Sequence, residues 1–397
     1  MLVGVVGKTN VGKSSFFKAL TLANVEIANH PFTTIKPNHG VAHVKVECAD
    51  RDFALRCNPK EGFCVNGIRF VPFEVLDVAG LVPGAHLGKG LGLSFLDDLR
   101  QADALIHVID ASGGTDENGE FVAVGSYDPV NDIMLLEKEI DMWYTQILKS
   151  GWEKFSKIVH LEQKEGYKEI AKQFSGLKIT ENDVLETMKK LNLDNDIIKW
   201  SEQGLERFAA ELRMRTKPMI IAANKADVST SEENIKRLVK EFPEHMIVAC
   251  SAESEIALKE ASKHALISYT PGDSDFQILE KDRLSEKQLN ALKFIKENVL
   301  KKYGSTGVQE VINSAVFNLL KCIAVFPVAT NKLTDSKGNV LPDCFLVPQG
   351  VTAHEFAYKV HTDLGERFVK AVDLRTKLIV GKEHRLKHRD VVQIITS

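Results

Sequence analysis

Short, unbroken apolar runs recur along this 397-residue chain, each closed by glycine or a polar turn. LVGVVG (Leu2 to Gly7), ALIHVID (Ala104 to Asp110), PMIIAANKAD (Pro218 to Asp227) and HMIVACSA (His245 to Ala252) have the continuous apolarity of parallel strands covered on both faces. VAHVKVE (Val41 to Glu47) alternates instead, which predicts a strand with one wet face. Asn66-Gly67, inside CVNGIRFVPFEVLDVAG, is a tight-turn dipeptide and predicts an antiparallel hairpin. A helix is expected from Lys13 through SSFFKALTLA. Strands alternating with helices predict a three-layer α/β domain, its sheet mixed but mostly parallel, with ligand at the carboxyl ends of the strands.

The stretch between ALIHVID and PMIIAANKAD is far longer than one crossover helix needs. Ile133, Leu136, Ile140, Trp143 and Ile147 step by three and four residues, the seam of two coiling helices. Val184, Met188 and Leu191 mark a second helix, opened by Thr180 with Asp183 three residues on. Ile197, Leu205, Phe208 and Leu212 share one face of a third. Residues 132–215 are therefore expected to form a coiled-coil-like helical insertion standing off the α/β domain; the alternative is an ordinary layer packed on the sheet. Further on, Ser285 and Gln288 form a capping box, STGVQEVINSAVFNLL is another helix, and the texture changes near Cys322. CIAVFPVA, CFLVPQ, FVKAVD, KLIVGK and DVVQIIT are expected as short strands around one capped helix, TAHEFAYKVHTDLG, ending at Gly365. The expected division is 1–131 and 216–320 for the α/β domain, 132–215 for the insertion, and 321–397 for a compact ββαββ-type module.

Composition narrows this only slightly. A chain that is 44% hydrophobic and 26% charged, with a net charge of -3, has no global pull toward nucleic acid or membrane. No apolar run approaches the roughly 18 residues of a bilayer span, and the first run leads into a glycine loop rather than a signal cleavage site. The six cysteines have no paired spacing, which fits reduced thiols in a cytoplasm. Cys48, Cys57 and Cys64 fall close together, but they lack the short C-x₂₋₄-C knuckle of structural zinc, so free thiols are expected.

The chemistry lies in GVVGKTNVGKSSFFKAL. Gly7, Gly12, Lys13 and Ser14 fit G-x-x-x-x-G-K-[ST] between a strand and a helix, with Lys8, Thr9, Asn10 and Val11 inside the loop and Ser15 after it. Such a loop turns backbone N–H groups and a helix N-terminus toward a polyphosphate. Lys13 is expected on the β- and γ-phosphates and the Ser14 hydroxyl on Mg²⁺. Asp77, closing an apolar strand in DVAG, suits Mg²⁺ through a water, and Gly80 lets a main-chain N–H approach the γ-phosphate. Thr34, with Thr33 as fallback, is placed to complete the Mg²⁺ shell and sense the γ-phosphate. Gly84, Gly88, Gly90 and Gly92 mark a second switch segment. In NKAD the carboxylate of Asp227 can accept from the N1–H and amine of guanine, an edge adenine lacks. Asn224 can bond the base or brace the loop, Lys225 can cover the ring, and Ser251, Ala252 and Glu253 can bring an N–H to guanine O6.

In this order the phosphate loop, Thr33-Thr34, DVAG, NKAD and SAE resemble the signature set of P-loop GTPases. HPFTTIKPNHG, DVAGLVPGAHLGKGLG and ADALIHVIDAS resemble the Obg-related GTPases, YchF-like branch. FLVPQGVTAHEFAYKVHTDLGERFVKAVD with RLKHRDVVQII resembles a TGS domain, a ubiquitin-like β-grasp. The resemblance implies a Ras-like G domain that binds GTP and GDP, with Mg²⁺, and hydrolyses GTP as a switch through Lys13, Thr34 and Gly80. YchF proper usually has an altered base motif and prefers ATP; this chain keeps Asn224-Lys225-Ala226-Asp227, so GTP is expected. Leu81 stands where many GTPases orient water with Gln, which implies slow intrinsic turnover. GTPases of that kind often hold K⁺ partly through a phosphate-loop Asn, and Asn10 occupies the matching place; His86 either positions water from the second switch or, the favoured reading, is a solvated loop histidine.

Between Glu366 and Asp390 there are eight Lys/Arg against four Asp/Glu. This run, with Arg385, Lys387 and Arg389, either faces RNA phosphates or is the solvated edge of a small β-domain. The association of TGS and Obg-like proteins with ribosomes and RNA favours the former, with the helical insertion as a second contact, and no membrane or DNA partner. The competing readings are an ATPase or small-molecule kinase, and a nucleotide-gated binding module with negligible hydrolysis.

Overall fold

The computed structural model describes residues 1–22, 38–78, 80, 84, 92–329, 332–335 and 337–397. Thr33, Thr34, Leu81, His86, Gly88 and Gly90 lie outside the described residues. From the N-terminus, β1 (Leu2–Val6) leads through the glycine loop into α1 (Lys13–Thr21), followed by β2 (His39–Glu47), β3 (Phe63–Val65), β4 (Ile68–Asp77), α2 (Gly92–Gln101) and β5 (Ala104–Asp110). Helices α3 (Val130–Lys149), α4 (Trp152–Leu161), α5 (Gly166–Gln173), α6 (Glu181–Lys190) and α7 (Glu202–Thr216) come next, then β6 (Met219–Asn224), α8 (Ser231–Glu241), β7 (Met246–Ala249) and α9 (Ala252–Lys263). The remainder is β8 (Ile267–Ser268), β9 (Gln277–Ile278), α10 (Glu286–Ile295), α11 (Lys301–Tyr303), α12 (Val308–Asn313), β10 (Cys322–Val328), β11 (Phe345–Pro348), α13 (Ala353–Val360), α14 (Thr362–Glu366), β12 (Phe368–Asp373), β13 (Leu378–Val380) and β14 (Val391–Thr396). Among the described residues no helix is long and apolar enough to cross a membrane. The chain divides into two compact units, Met1–Phe17 with Val75–Glu253, and Lys18–Glu74 with Ser254–Ser397.

In the first unit the end of β4 is followed across the sheet by β1, β5, β6 and β7, the last four running parallel. β1, β5 and β6 are buried at every position, as their continuous apolar runs require. Asp110 lies opposite Asn224 in the β5–β6 register, so both strands end with a polar residue on the same rim. α3 packs along α7 and also reaches β5 and α5. Ile133, Leu136, Ile140, Trp143 and Leu148 of α3 are buried against Leu205, Phe208 and Leu212 of α7, while Ile147 is only partly covered. Arg213 Nε donates to Asp141 Oδ1 at 2.7 Å and its Nη2 to Glu137 Oε1 at 3.1 Å, pinning the helix pair. Thr180 and Asp183 form a capping box that opens α6. Ile197 is not on α7: it sits in a separate 3₁₀ turn, because Ser201 takes an extended conformation to cap α7 through Gly204 N.

In the second unit β2 and β3 flank β4. Asn66 and Gly67, at φ 51° and 73°, make the tight turn that pairs Val65 with Ile68. The Asn313 side chain pairs with both backbone groups of Lys45 on β2, at 2.9 and 3.1 Å. The C-terminal strands form one sheet in the order β11-β10-β14-β12-β13, with β10 parallel to β14 and the other pairs antiparallel. Ala353, Phe356 and Ala357 of α13 fill the core beneath Val325, Ala371 and Val392, the β-grasp arrangement. The helix of that module does not run unbroken to Gly365. It stops at Val360, His361 becomes extended, and the His361 ring accepts from Asp363 N to start α14.

Candidate nucleotide-binding site

The rim where β1, β5 and β6 end gathers most of the motif residues in the first unit. A Cβ on Gly7 would stand 2.5 Å from Val108 O, and one on Gly12, where φ is +92°, would stand 2.3 Å from Asn224 Nδ2. Both glycines are thus required for the loop to lie against its neighbours. Lys13 and Ser14 open α1, with the Ser14 side chain exposed. Lys13 Nζ is ion-paired with Asp77 Oδ1. Gly80 follows at the same end, where an added Cβ would meet Thr9 Oγ1 at 3.7 Å.

The base motif is wired into this loop. Asn224 is buried with both ends of its amide engaged: Nδ2 donates to Val11 O at 2.9 Å and Oδ1 accepts from Ala252 N at 3.1 Å. Of the two roles open to Asn224, bracing is the one these bonds perform. Lys225, at φ 63°, sends its Nζ to Asp110 Oδ2 at 2.8 Å and to Asn10 O at 3.0 Å. Asp227 is half-buried, and its Oδ1 accepts from buried Ser251 Oγ at 2.7 Å, which orients the carboxylate. Ser15 Oγ donates to exposed Glu253 Oε1 at 2.6 Å, closing the circuit from loop to SAE segment.

The partners of the remaining loop residues were not apparent from the motifs. Lys8 does not face an open site: it is 3% exposed, donates to Asp132 Oδ1 at 2.7 Å and Thr115 O at 3.0 Å, and lies 3.9 Å from the centre of the Tyr127 ring. Burial pushes the Asp132 carboxyl up to about 6, against the pull of Lys8. Asn10 Nδ2 donates to Gly119 O at 2.9 Å, and Gly119, at φ +80°, leaves room for Thr9 O, which a Cβ would meet at 2.7 Å. Asp110 is buried and accepts from Ser112 N at 3.0 Å as well as from Lys225. The segment from Ser112 to Asp128 therefore lines the loop, closed by a bridge between Thr115 and Phe121. Its signal was present in Asn118-Gly119, a turn dipeptide like Asn66-Gly67. Phe121 is 74% exposed, with its ring centre 5.8 Å from Lys225 Nζ. Beyond the rim, Gly84 N donates to Glu139 Oε1 of α3 at 2.7 Å.

The oxygen donors here fit Mg²⁺. A hydroxyl at Ser14 and a carboxylate at Asp77 are hard ligands, and a site that otherwise takes its shell from phosphate and water needs few protein groups.

Comparison with known proteins agrees with this geometry. Residues 2–138 match the model described as 50S ribosome-binding GTPase, residues 222–330 that of the Obg-like GTPase YGR210-like, G4 motif-containing domain, and residues 334–396 the TGS domain. A GTP-binding protein of Methanocaldococcus jannaschii is 48% identical over 397 residues, 100% of this chain and 99% of its own. The ribosome-binding ATPase YchF of Bacillus subtilis is 32% identical over 268 residues, 65% of this chain and 67% of its own. The crystal structure of a GTP-binding protein from Pyrococcus horikoshii superposes with a TM-score of 0.80 at 42% identity, covering 100% of both chains. A glycine loop braced by the base motif, a TGS module and full-length likeness at this identity place the chain in the Obg-like family of P-loop GTP-binding proteins, alongside its YGR210-like and YchF-like members.

Proposed function

We propose that the chain binds GTP and GDP and hydrolyses GTP slowly, as a switch that works on ribosomal particles or RNA. The observation that carries this reading is the Asp227 carboxylate, held by Ser251 and open to solvent beside the braced phosphate loop. Two charge-assisted hydrogen bonds to the guanine edge, at about 1.5–3 kcal/mol each, give a preference over ATP on the order of 10²-fold or more. Backbone N–H groups from Gly7 to Ser15 cradle the phosphates, and Lys13 leaves Asp77 for the β- and γ-phosphate oxygens. Ser14 would hold Mg²⁺ directly and Asp77 through a water, with Thr34 as the further ligand. That ion neutralises charge on the phosphates when bound. Gly80 brings its N–H to the γ-phosphate. If K⁺ assists at Asn10, the Asn10 amide does so while keeping its bond to Gly119.

Calorimetric competition between GTP and ATP tests the reading: comparable affinities sink it. In Asp227→Asn the preference should move toward xanthosine triphosphate, whose 2-oxo group accepts where guanine's amine donates. The relative named as an ATPase makes ATP the second reading, and the same titration decides between them. The ribosome-binding names of the matched family model and of the Bacillus protein support the proposed partner; turnover in K⁺ with and without ribosomes tests it.

A further inference from the structure

The loop from β2 to β3 has no part in the nucleotide site. It runs CADRDFALRCNPKEGFC, and folding brings Cys48, Asp50, Cys57 and Cys64 together so that one ligand atom from each lies within 4.8 Å of all the others. Cys48 Sγ and Cys57 Sγ are 3.7 Å apart, and Cys64 Sγ lies 3.9 Å from Asp50 Oδ2. With Zn–S bonds of about 2.3 Å, the edge of a thiolate tetrahedron is about 3.8 Å. The Cys48–Cys57 and Cys64–Asp50 separations match that edge, and all four donors lie close enough to close on one ion. The span is too short for ligands that serve different irons of an iron–sulfur cluster.

Two further observations point to a cation. Asp50 is only 5% exposed, and its Oδ1 has no hydrogen-bond partner, while Oδ2 takes the Cys57 N–H at 3.3 Å. A buried carboxylate oxygen without a donor is costly in a well-satisfied interior, and a metal ion removes the cost. Arg69, 1% exposed and within electrostatic reach of Cys57, donates to Leu341 O and Pro342 O at 3.1 and 2.6 Å but leaves its Nε unpaired. A buried guanidinium offsets the excess negative charge that three thiolates and a carboxylate leave around a divalent ion. A cavity of about 500 Å³ lined by Asp50, Cys57 and Cys64 opens on the cluster and gives an ion a way in.

We propose that Cys48, Asp50, Cys57 and Cys64 bind one Zn²⁺ as a closed structural site, the coordinated thiols releasing their protons to solvent. The site would fix residues 48–64 as the platform of the C-terminal module. Cys48 and Ala49 share a core with Phe326, Leu341 and Val391, and Asn58 N and Lys60 N donate to Val340 O and Pro342 O at 2.8 and 3.0 Å. The donors come from a strand end, a 3₁₀ turn, a loop and a second strand, which is why the sequence spacing shows no knuckle.

Elemental analysis of the full-length protein, purified without added metal, should find about one zinc per chain, and Cys57→Ser and Cys64→Ser should each lower it about tenfold. Loading the chelator-stripped wild type with Co²⁺ should give the strong visible bands and thiolate charge-transfer absorption of a tetrahedral thiolate site, and it decides the matter even if the variants fail to fold. A chain without zinc whose Co²⁺ form lacks those bands overturns the proposal, as does a Cys48–Cys57 disulfide in the mass spectrum. Zinc retained in full by both folded variants, checked by circular dichroism, overturns it too.

Discussion

The phosphate-loop rim, with Lys8, Lys13 and Lys225, and the C-terminal basic run both gather basic side chains, but they put those charges to opposite use. Around the loop every lysine named above has a carboxylate: Lys8 has Asp132, Lys13 has Asp77, and Lys225 has Asp110. The Lys8 pair is dry, with both side chains 3% exposed. In the C-terminal run Lys382, Arg385 and Lys387 are exposed to solvent. Arg375 and Arg389 are not: both bind Asp52, and Arg389 also holds Glu47 at 2.6 Å. A count of charges along the sequence treats all of these alike. Topology sorts them into buried braces, half-buried pairs at the loop, and charges left to water.

The sharpest break of that comparison is Asp132→Ala. It strands the Lys8 ammonium in a dry site, and loss of one partner of a buried pair costs about 3–5 kcal/mol, read as a lower urea midpoint at unchanged slope. Replacing both partners, Lys8→Met with Asp132→Leu, should recover much of it, since a buried pair is often no better than its apolar substitute. Cost persisting in the double variant would mean that the pair positions the loop through more than charge.

A smaller effect follows from another dry group in the first unit. Burial pulls His107 on β5 down to about 3 from the ordinary 6.5. The folded state keeps this ring neutral while the unfolded chain protonates it below about pH 6.5. Its contribution is therefore complete above about pH 6.5 and is lost as pH falls toward about 3, at about 1.4 kcal/mol per pH unit. Between pH 6.5 and 5 that is about 2 kcal/mol. Thermal melts of His107→Gln should show this slope flattened; an identical slope would assign the acid sensitivity elsewhere.

The same contrast explains what could be seen in the sequence. Gly7, Gly12, Lys13, Asp77 and Asn224 were legible because their chemistry is local: a loop, a strand end and a fixed spacing. The partner of Lys8 was not, since Asp132 lies 124 residues away and only folding joins them. Ile197 keeps helical spacing with Leu205 but is cut off by a cap, and His361 interrupts a helix that composition makes continuous. Periodicity reports which face is apolar, not where a side chain outbids the backbone for its hydrogen bonds. Cys48, Cys57 and Cys64 were visible as residues, but their meeting with Asp50 depends on the 3₁₀ turn and the hairpin.

Removing the clamp should sharpen the other side of the comparison. Asp52→Ala frees Arg375 and leaves Arg389 held by Glu47 alone, and because Asp52 is 34% exposed the stability cost is screened to about 1 kcal/mol or less. If the run meets RNA, the freed Arg375 and the lost carboxylate make this edge more positive, so ribosome sedimentation should become tighter and more salt-sensitive.

The smallest change, and the most diagnostic, is neutralisation within the run itself. Lys382→Ala, Arg385→Ala and Lys387→Ala should each reduce the slope of log affinity against log salt by about 1, because each removes one phosphate contact from a side chain already in water. Arg389→Ala should leave that slope unchanged and lower stability instead, since its guanidinium is already held by Glu47 and Asp52. Equal slope changes at Arg389 and Lys387 would mean that ribosome binding opens the clamp, and the distinction between bracing and free charge would then hold only for the unbound protein. No change at any of the four would move the contact off this edge of the module, leaving it as a solvated surface.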